Sequence, residues 1–190
     1  NPKAELPAEE QAFLDGPVNE LCEMIDEWKV SHKDYDLPQE VYDFVKDKGF
    51  FSFIIPKEYG GLEFSPLGLI YVMAKIGSRS GTLASMVGVP NSLGPAELLM
   101  HYGTDEQKKE LLPKLASGEH VPCFALTGPY AGSDATSMPD TGIVCKGEFE
   151  GEEIIGIKLN FSKRYITLAP IATLIGLAFK MYDPDHLIGD

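Results

Sequence analysis

Phe124-Ala125-Leu126-Thr127-Gly128-Pro129-Tyr130-Ala131-Gly132-Ser133-Asp134 is the stretch on which the reading of this chain turns. It begins as a strand, with Val121, Cys123 and Ala125 alternating with Phe124 and Leu126. It then breaks at Gly128-Pro129 and again at Gly132. Small residues after an apolar strand let backbone N–H groups approach a flat polar ligand closely. Thr127 and Ser133 add hydroxyls that can donate or accept. By itself the pattern is equally that of a strand followed by an ordinary tight turn, so its surroundings decide.

Those surroundings are acidic. The 190 residues carry a formal net charge of −13, which argues against nucleic acid or an anionic membrane as the main partner, since both require a basic face. Residues 1–60 hold 14 acids against 6 bases, read as the solvated faces of helices. Cys22, Cys123 and Cys145 are far apart with no CxxC spacing, which fits buried thiols in a reducing compartment. His32, His101, His120 and His186 lack metal-ligand spacing, so no metal is expected. No run reaches the roughly 18 apolar residues of a membrane span, and no stretch has a signal-peptide pattern.

Periodicity divides the chain. Leu14, Val18, Leu21, Cys22, Ile25 and Trp28 recur at three- and four-residue steps and predict one apolar helical stripe, with Asp15 as N-cap and Pro17 in the first turn. Pro38 opens a second helix with Val41, Phe44 and Val45 on one face and Gly49 as its stop. Phe50 to Ile55 is apolar but too short for a helix, and 56–61 predicts a turn. Residues 66–77 are apolar nearly all round, which predicts a helix buried on most sides. A shorter helix over 83–89 and one over 95–102 follow. Thr104-Asp105-Glu106-Gln107 is a capping box, and Pro113 should kink or restart the helix it opens. After Val121 the period becomes two: 143–145, Phe149, 154–161 and Tyr165 to Thr167 read as strands, and 171–181 leans the same way. Helices first and strands after predict an α+β protein, an all-α domain over 1–120 followed by a small antiparallel β domain over 121–190. The chain starts at Asn1 and stops at Asp190 after a strand-like run, so a fragment of a longer protein is expected.

Four motifs in order resemble one family. Gly103 to Lys109, continuing through Leu112-Pro113 to Glu119, resembles the helix that precedes the β domain of acyl-CoA dehydrogenases. Phe124 to Asp134 resembles that family's first flavin loop and Lys163-Arg164-Tyr165-Ile166-Thr167 its second, while Ile55 to Gly61 adds a weaker match. Leu159 to Ala169 and Pro139 to Ile143 are closest to the large, membrane-associated type of bacterial fatty-acid β-oxidation. The resemblance implies the family fold with its C-terminal helical bundle outside this chain. It also implies FAD as cofactor and α,β-dehydrogenation of fatty acyl-CoA thioesters to trans-2-enoyl-CoA. Further implications are an electron-transfer flavoprotein as acceptor, a homo-oligomer, and a place in the bacterial cytoplasm peripheral to the inner membrane.

Carried over residue by residue, the resemblance places Phe124, Leu126 and Thr127 along the isoalloxazine, with Thr127 bonding its polar edge. Gly132 lets the loop approach, and Ser133 meets both cofactor and the CoA side of the substrate. Tyr165 packs on the flavin beside Ile166, and Thr167 bonds near its reactive nitrogen. No catalytic residue is expected within the chain: the base is implied beyond Asp190, and the acids at 148, 150, 152 and 153 read as an exposed hairpin tip. Two positions depart from the pattern, Gly128 where many relatives have Glu and Tyr165 where many have Trp. Lys163 and Arg164 read as solvated loop charges. The rival readings are an acyl-CoA oxidase or flavin monooxygenase on the same fold, and a non-catalytic interaction domain that binds no flavin.

Overall fold

A computed structural model describes residues 5–92 and 94–189, so Asn1 and Asp190, which bear on the fragment expectation, lie outside the described residues. The chain divides into two compact units. The first runs up to Cys123 and takes in Leu168–Leu174, and the second comprises Phe124–Thr167 and the residues from Ile175.

The first unit is helical: α1 (Ala8–Asp15), α2 (Pro17–Glu23), α3 (Glu27–Lys29) running into a π turn (Val30–Asp34), α4 (Gln39–Asp47), α5 (Pro66–Arg79), α6 (Gly81–Gly88), α7 (Pro95–Tyr102) and α8 (Asp105–Ala116). Its core gathers on the apolar run between α4 and α5, where Phe50, Phe51, Phe53 and Ile55 are fully enclosed. The Phe13 ring lies 5.0 Å from that of Phe50, 5.5 Å from Phe53 and 5.3 Å from Phe64. This run is not a regular element, so its backbone groups need other partners. Buried Asn91 supplies three: its Oδ1 accepts the Phe53 N–H at 2.8 Å, and its Nδ2 donates to the Phe50 carbonyl at 2.6 Å and the Val87 carbonyl at 2.9 Å. Buried Glu10 of α1 accepts the Ser65 N–H at 2.6 Å and its hydroxyl at 2.7 Å, at the start of α5. A Cβ on Gly68 would stand 2.2 Å from that carboxylate, so any side chain there would have to displace it from Ser65.

Several sequence expectations change here. Asp15 does not cap α2; it closes α1, accepts from the Gln11 side chain at 2.9 Å, and leaves Gly16 in the cap position. Trp28 leaves the apolar stripe and is 65% exposed, stacked on His32 at 3.8 Å. The helix stops at Met24 and restarts behind the Asp26 cap, which resets the helical phase. Helix α5 is not buried on most sides: Gly68, Val72 and Ile76 face inward at steps of four, whereas Ile70 and Tyr71 are exposed. The capping box at Thr104 forms as expected, but α8 runs through Pro113 without restarting.

The second unit carries β2 (Thr141–Phe149) and β3 (Glu152–Asn160), an antiparallel hairpin in register from Thr141 opposite Asn160 to Phe149 opposite Glu152. Glu150 and Gly151, both with positive φ, make the two-residue turn. Strand β5 (Lys180–Tyr182) lies parallel to β2 on its other side, in the order β3-β2-β5. Gly142 admits this packing, because a Cβ there would stand 2.3 Å from the Phe179 ring. Strands β1 (Pro122–Ala125) and β4 (Leu174–Leu177) pair as a separate two-stranded sheet. From Leu174 the 171–181 run forms strands as expected, split between two sheets, whereas Ile171 closes a 3-10 turn (Ala169–Ile171). Tyr165 to Thr167 is not a strand: Tyr165 has φ 59° and Leu168 φ 66°, left-handed backbone that bulky residues seldom adopt.

Candidate functional site

The two loops singled out in the sequence meet in the second unit. One follows β1 and the other follows β3. The Arg164 N–H donates to the Thr127 carbonyl at 3.1 Å, and the Arg164 guanidinium reaches the Pro129 carbonyl at 3.4 Å. Gly128 permits this contact, since a Cβ on it would stand 3.0 Å from the Ser162 carbonyl oxygen. A side chain at 128 would need the Ser162 backbone to give by a few tenths of an ångström.

Beneath the contact sits an ion pair that sequence reasoning missed. Lys163 is not a solvated charge. Its side chain is 5% exposed and that of Asp140 2%, with Nζ and Oδ2 at 2.6 Å. Nζ also donates to the Leu126 carbonyl at 2.9 Å, and Asp140 Oδ1 accepts the Ser162 N–H at 2.8 Å. Burial pushes the Asp140 carboxyl up, but the hydrogen bonds and charge of Lys163 and the Ser162 N–H outweigh it, so its pKa lies below the ordinary value. A lysine this enclosed needs a counter-charge. The signal available in the sequence was only that Pro139-Asp140 and Lys163 fall inside matching motifs.

The other loop residues face outward. Phe124, Leu126, Thr127 and Ile166 are half-buried, and Gly132, Ser133, Tyr165 and Thr167 are exposed. Tyr165 is 80% exposed, with the Arg164 guanidinium 4.9 Å from its ring centre. Among the described residues the hydroxyls of Thr127, Ser133 and Thr167 make no hydrogen bond. Among the described residues nothing stands within 4 Å of where a Gly132 Cβ would be, so none of them demands glycine there. The loop's two carboxylates are already engaged. Asp134 is held by Ser137 and Thr136, which lower its pKa, and Asp140 by Lys163. Neither is suited to removing a proton from carbon. The carboxylates of the β2–β3 turn are exposed, as expected for a hairpin tip. Among the described residues no cluster of His, Cys, Asp and Glu could hold a metal, and no helix is long and apolar enough to cross a membrane.

Residues 8–119 match the family model for the acyl-CoA dehydrogenase N-terminal domain. The chain belongs to the acyl-CoA dehydrogenase family. The 3-(aryl)acrylate reductase of Clostridium sporogenes is 37% identical over 84% of this chain and 38% of its own length. Subunit CarC of the caffeyl-CoA reductase-Etf complex of Acetobacterium woodii is 35% identical over 72% of this chain and 34% of its own. The chain thus spans little more than a third of the length of these family members. A solved Bacillus anthracis acyl-CoA dehydrogenase in complex with FAD shares the fold, with a TM-score of 0.77 at 24% identity over 93% of this chain and 29% of that one. The helical domain followed by a small β region is the arrangement of the acyl-CoA dehydrogenase fold.

Proposed function

We propose that this chain carries the N-terminal helical domain and the flavin-facing loops of an FAD-dependent acyl-CoA dehydrogenase acting on fatty acyl-CoA in β-oxidation. The observation that carries the reading is the direct bond between the two loops, Arg164 N–H to Thr127 carbonyl at 3.1 Å, which makes one surface of two segments 37 residues apart. That surface fits a flavin: three unengaged hydroxyls, half-buried apolar side chains at Phe124, Leu126 and Ile166, and an open aromatic face at Tyr165. Thr127 and Thr167 would hold the polar edge of the ring system, Tyr165 would pack on it, and Ser133 would reach both cofactor and thioester. When bound, FAD supplies the two-electron redox chemistry, and the protein supplies placement and polarity. Hydrogen-bond donors fixed in advance stabilise charge developing on a bound ring without reorganising.

The proton-abstracting carboxylate is proposed to lie outside the residues described, consistent with the engagement of Asp134 and Asp140. An electron-transfer flavoprotein is the proposed acceptor, supported by the relative that works in an Etf complex. Homo-oligomeric assembly and a cytoplasmic site at the inner membrane belong to the same proposal. The test is anaerobic mixing of the intact, FAD-loaded protein with straight-chain and aryl-substituted acyl-CoA thioesters. Bleaching of the flavin band by straight-chain substrates is expected. Preferential bleaching by aryl substrates would overturn the fatty-acyl assignment, rapid stoichiometric peroxide formation in air would mark an oxidase, and a protein colourless after FAD reconstitution would remove the flavin reading.

A further inference from the structure

We propose that Asp140 and Lys163 are the positioning pair of the flavin site: the buried ammonium, held by the carboxylate, grips the Leu126 carbonyl and so turns the Thr127 N–H towards the ligand. This rests on the flavin reading above and adds residues to it that touch no ligand themselves.

The geometry begins with the two small sheets. The first loop leaves β1, which pairs with β4, and the second leaves β3, which pairs with β2. Among the described residues no strand ladder joins the two sheets, so the spacing of the loops depends on other contacts. Lys163 Nζ donates to Asp140 Oδ2 at 2.6 Å and to the Leu126 carbonyl at 2.9 Å. Asp140 in turn accepts the Ser162 N–H at 2.8 Å through Oδ1 and the Lys180 N–H at 3.0 Å through its carbonyl. One pair therefore ties residue 126 to residues 162–163 and to the start of β5.

Its consequence reaches Thr127 through the peptide plane. In a trans peptide the carbonyl and the following N–H point in opposite directions, and no peptide bond among the described residues is cis. With the Leu126 carbonyl drawn onto Lys163, the Thr127 N–H is aimed away from the pair. It makes no hydrogen bond among the described residues. The next carbonyl, that of Thr127, is taken by the Arg164 N–H. Thr127 thus has its acceptor tied inward while its N–H and hydroxyl stay open. That leaves on the half-buried Thr127 a backbone donor that water takes in the free protein and a bound ligand can take in its place.

A pair serving only the fold would not control the ligand, and two measurements on the intact protein separate the cases. In the wild type, the Thr127 amide should exchange freely without FAD and slow by about tenfold or more on FAD binding, the size typical of a direct bond of about 1.4 kcal/mol. In variants, Lys163→Met should weaken FAD binding to the reconstituted apoprotein by about tenfold and shift the visible flavin band. The double variant Asp140→Leu/Lys163→Met should regain the unfolding midpoint, because an apolar pair can replace an ionic one without loss of stability. It should not regain FAD affinity, because the Leu126 carbonyl is still released. Recovery of both in the double variant, FAD affinity unchanged in Lys163→Met, or a Thr127 amide indifferent to FAD would each overturn the positioning role. If wild type itself takes up no FAD, the flavin reading falls and this inference falls with it.

Discussion

The two units solve the problem of an interior in different ways. In the helical unit, large apolar side chains do the enclosing: Leu21, Ile25, Phe50, Phe51, Phe53, Ile76, Leu83 and Leu112 are essentially inaccessible. Its polar members, Asn91 and Glu10, satisfy backbone groups that irregular stretches leave open. In the second unit the buried apolar residues from Phe124 on are Ala125, Ala131 and Val144, all small, and a lysine side chain, that of Lys163, is 5% exposed. Burial of about 25 cal/mol per Å² cannot accumulate on so few methyl groups. One unit rests on packing, the other on a few directional contacts. Directional contacts tolerate less change, and they fix loop geometry more tightly than packing of small residues would.

Replacing Lys163 by Met should therefore produce the largest effect, leaving the Asp140 carboxylate buried without its partner. A loss of about 3–5 kcal/mol is expected. Hydrogen exchange should place it in residues 124–167, with the fluorescence transition of Trp28, the single tryptophan, unmoved. If both units lost stability together, the contrast between them would be wrong. The matching test in the helical unit is Asn91→Ala, which strands the Phe53 N–H and the Phe50 carbonyl in an apolar interior. It should cost about 3 kcal/mol, read as an earlier Trp28 transition with protection in 141–160 retained.

Acid sharpens the comparison with a smaller effect. The Asp140 pKa is lower folded than unfolded, so the stability it contributes is complete above the unfolded carboxylate value, 3.8, and is lost as pH falls through the folded one. Unfolding of the second unit should therefore steepen below about pH 4, and Asp140→Asn should flatten that slope. An unchanged slope in Asp140→Asn would assign the acid sensitivity to other carboxylates.

Local chemistry was legible in the sequence wherever neighbours in the chain decide the outcome. The Thr104 capping box, the Pro95 start of α7, the Gly49 stop with φ 77° and the Glu150-Gly151 turn all depend on residues within a few positions of each other. The family motifs were equally legible, since they are strings of adjacent residues. What escaped depends on distant partners. Lys163 and Asp140 are 23 positions apart and look like two ordinary charges until the fold joins them. The tight approach of Gly128 to the Ser162 carbonyl likewise joins residues 34 positions apart. Trp28 was misplaced because one break after α2 shifts every later residue around the helix axis. Residues 66–77 read as apolar all round, but which side is covered is set by Glu10 and the neighbouring helices, not by composition.

Strand β3 has one further consequence, for handling the chain. It lies at the outer position in the order β3-β2-β5, and Ile154, Ile155, Ile157 and Leu159 along it are all 39–52% exposed. Its free side presents a regular row of N–H and carbonyl groups flanked by branched side chains on both faces. Such a row is a template on which another extended segment can add by backbone pairing alone. Lys158 and the acids at 152 and 153 are the charges that oppose such growth. At high ionic strength, where these charges are screened, self-association through this strand becomes the chief hazard in preparing these 190 residues by themselves.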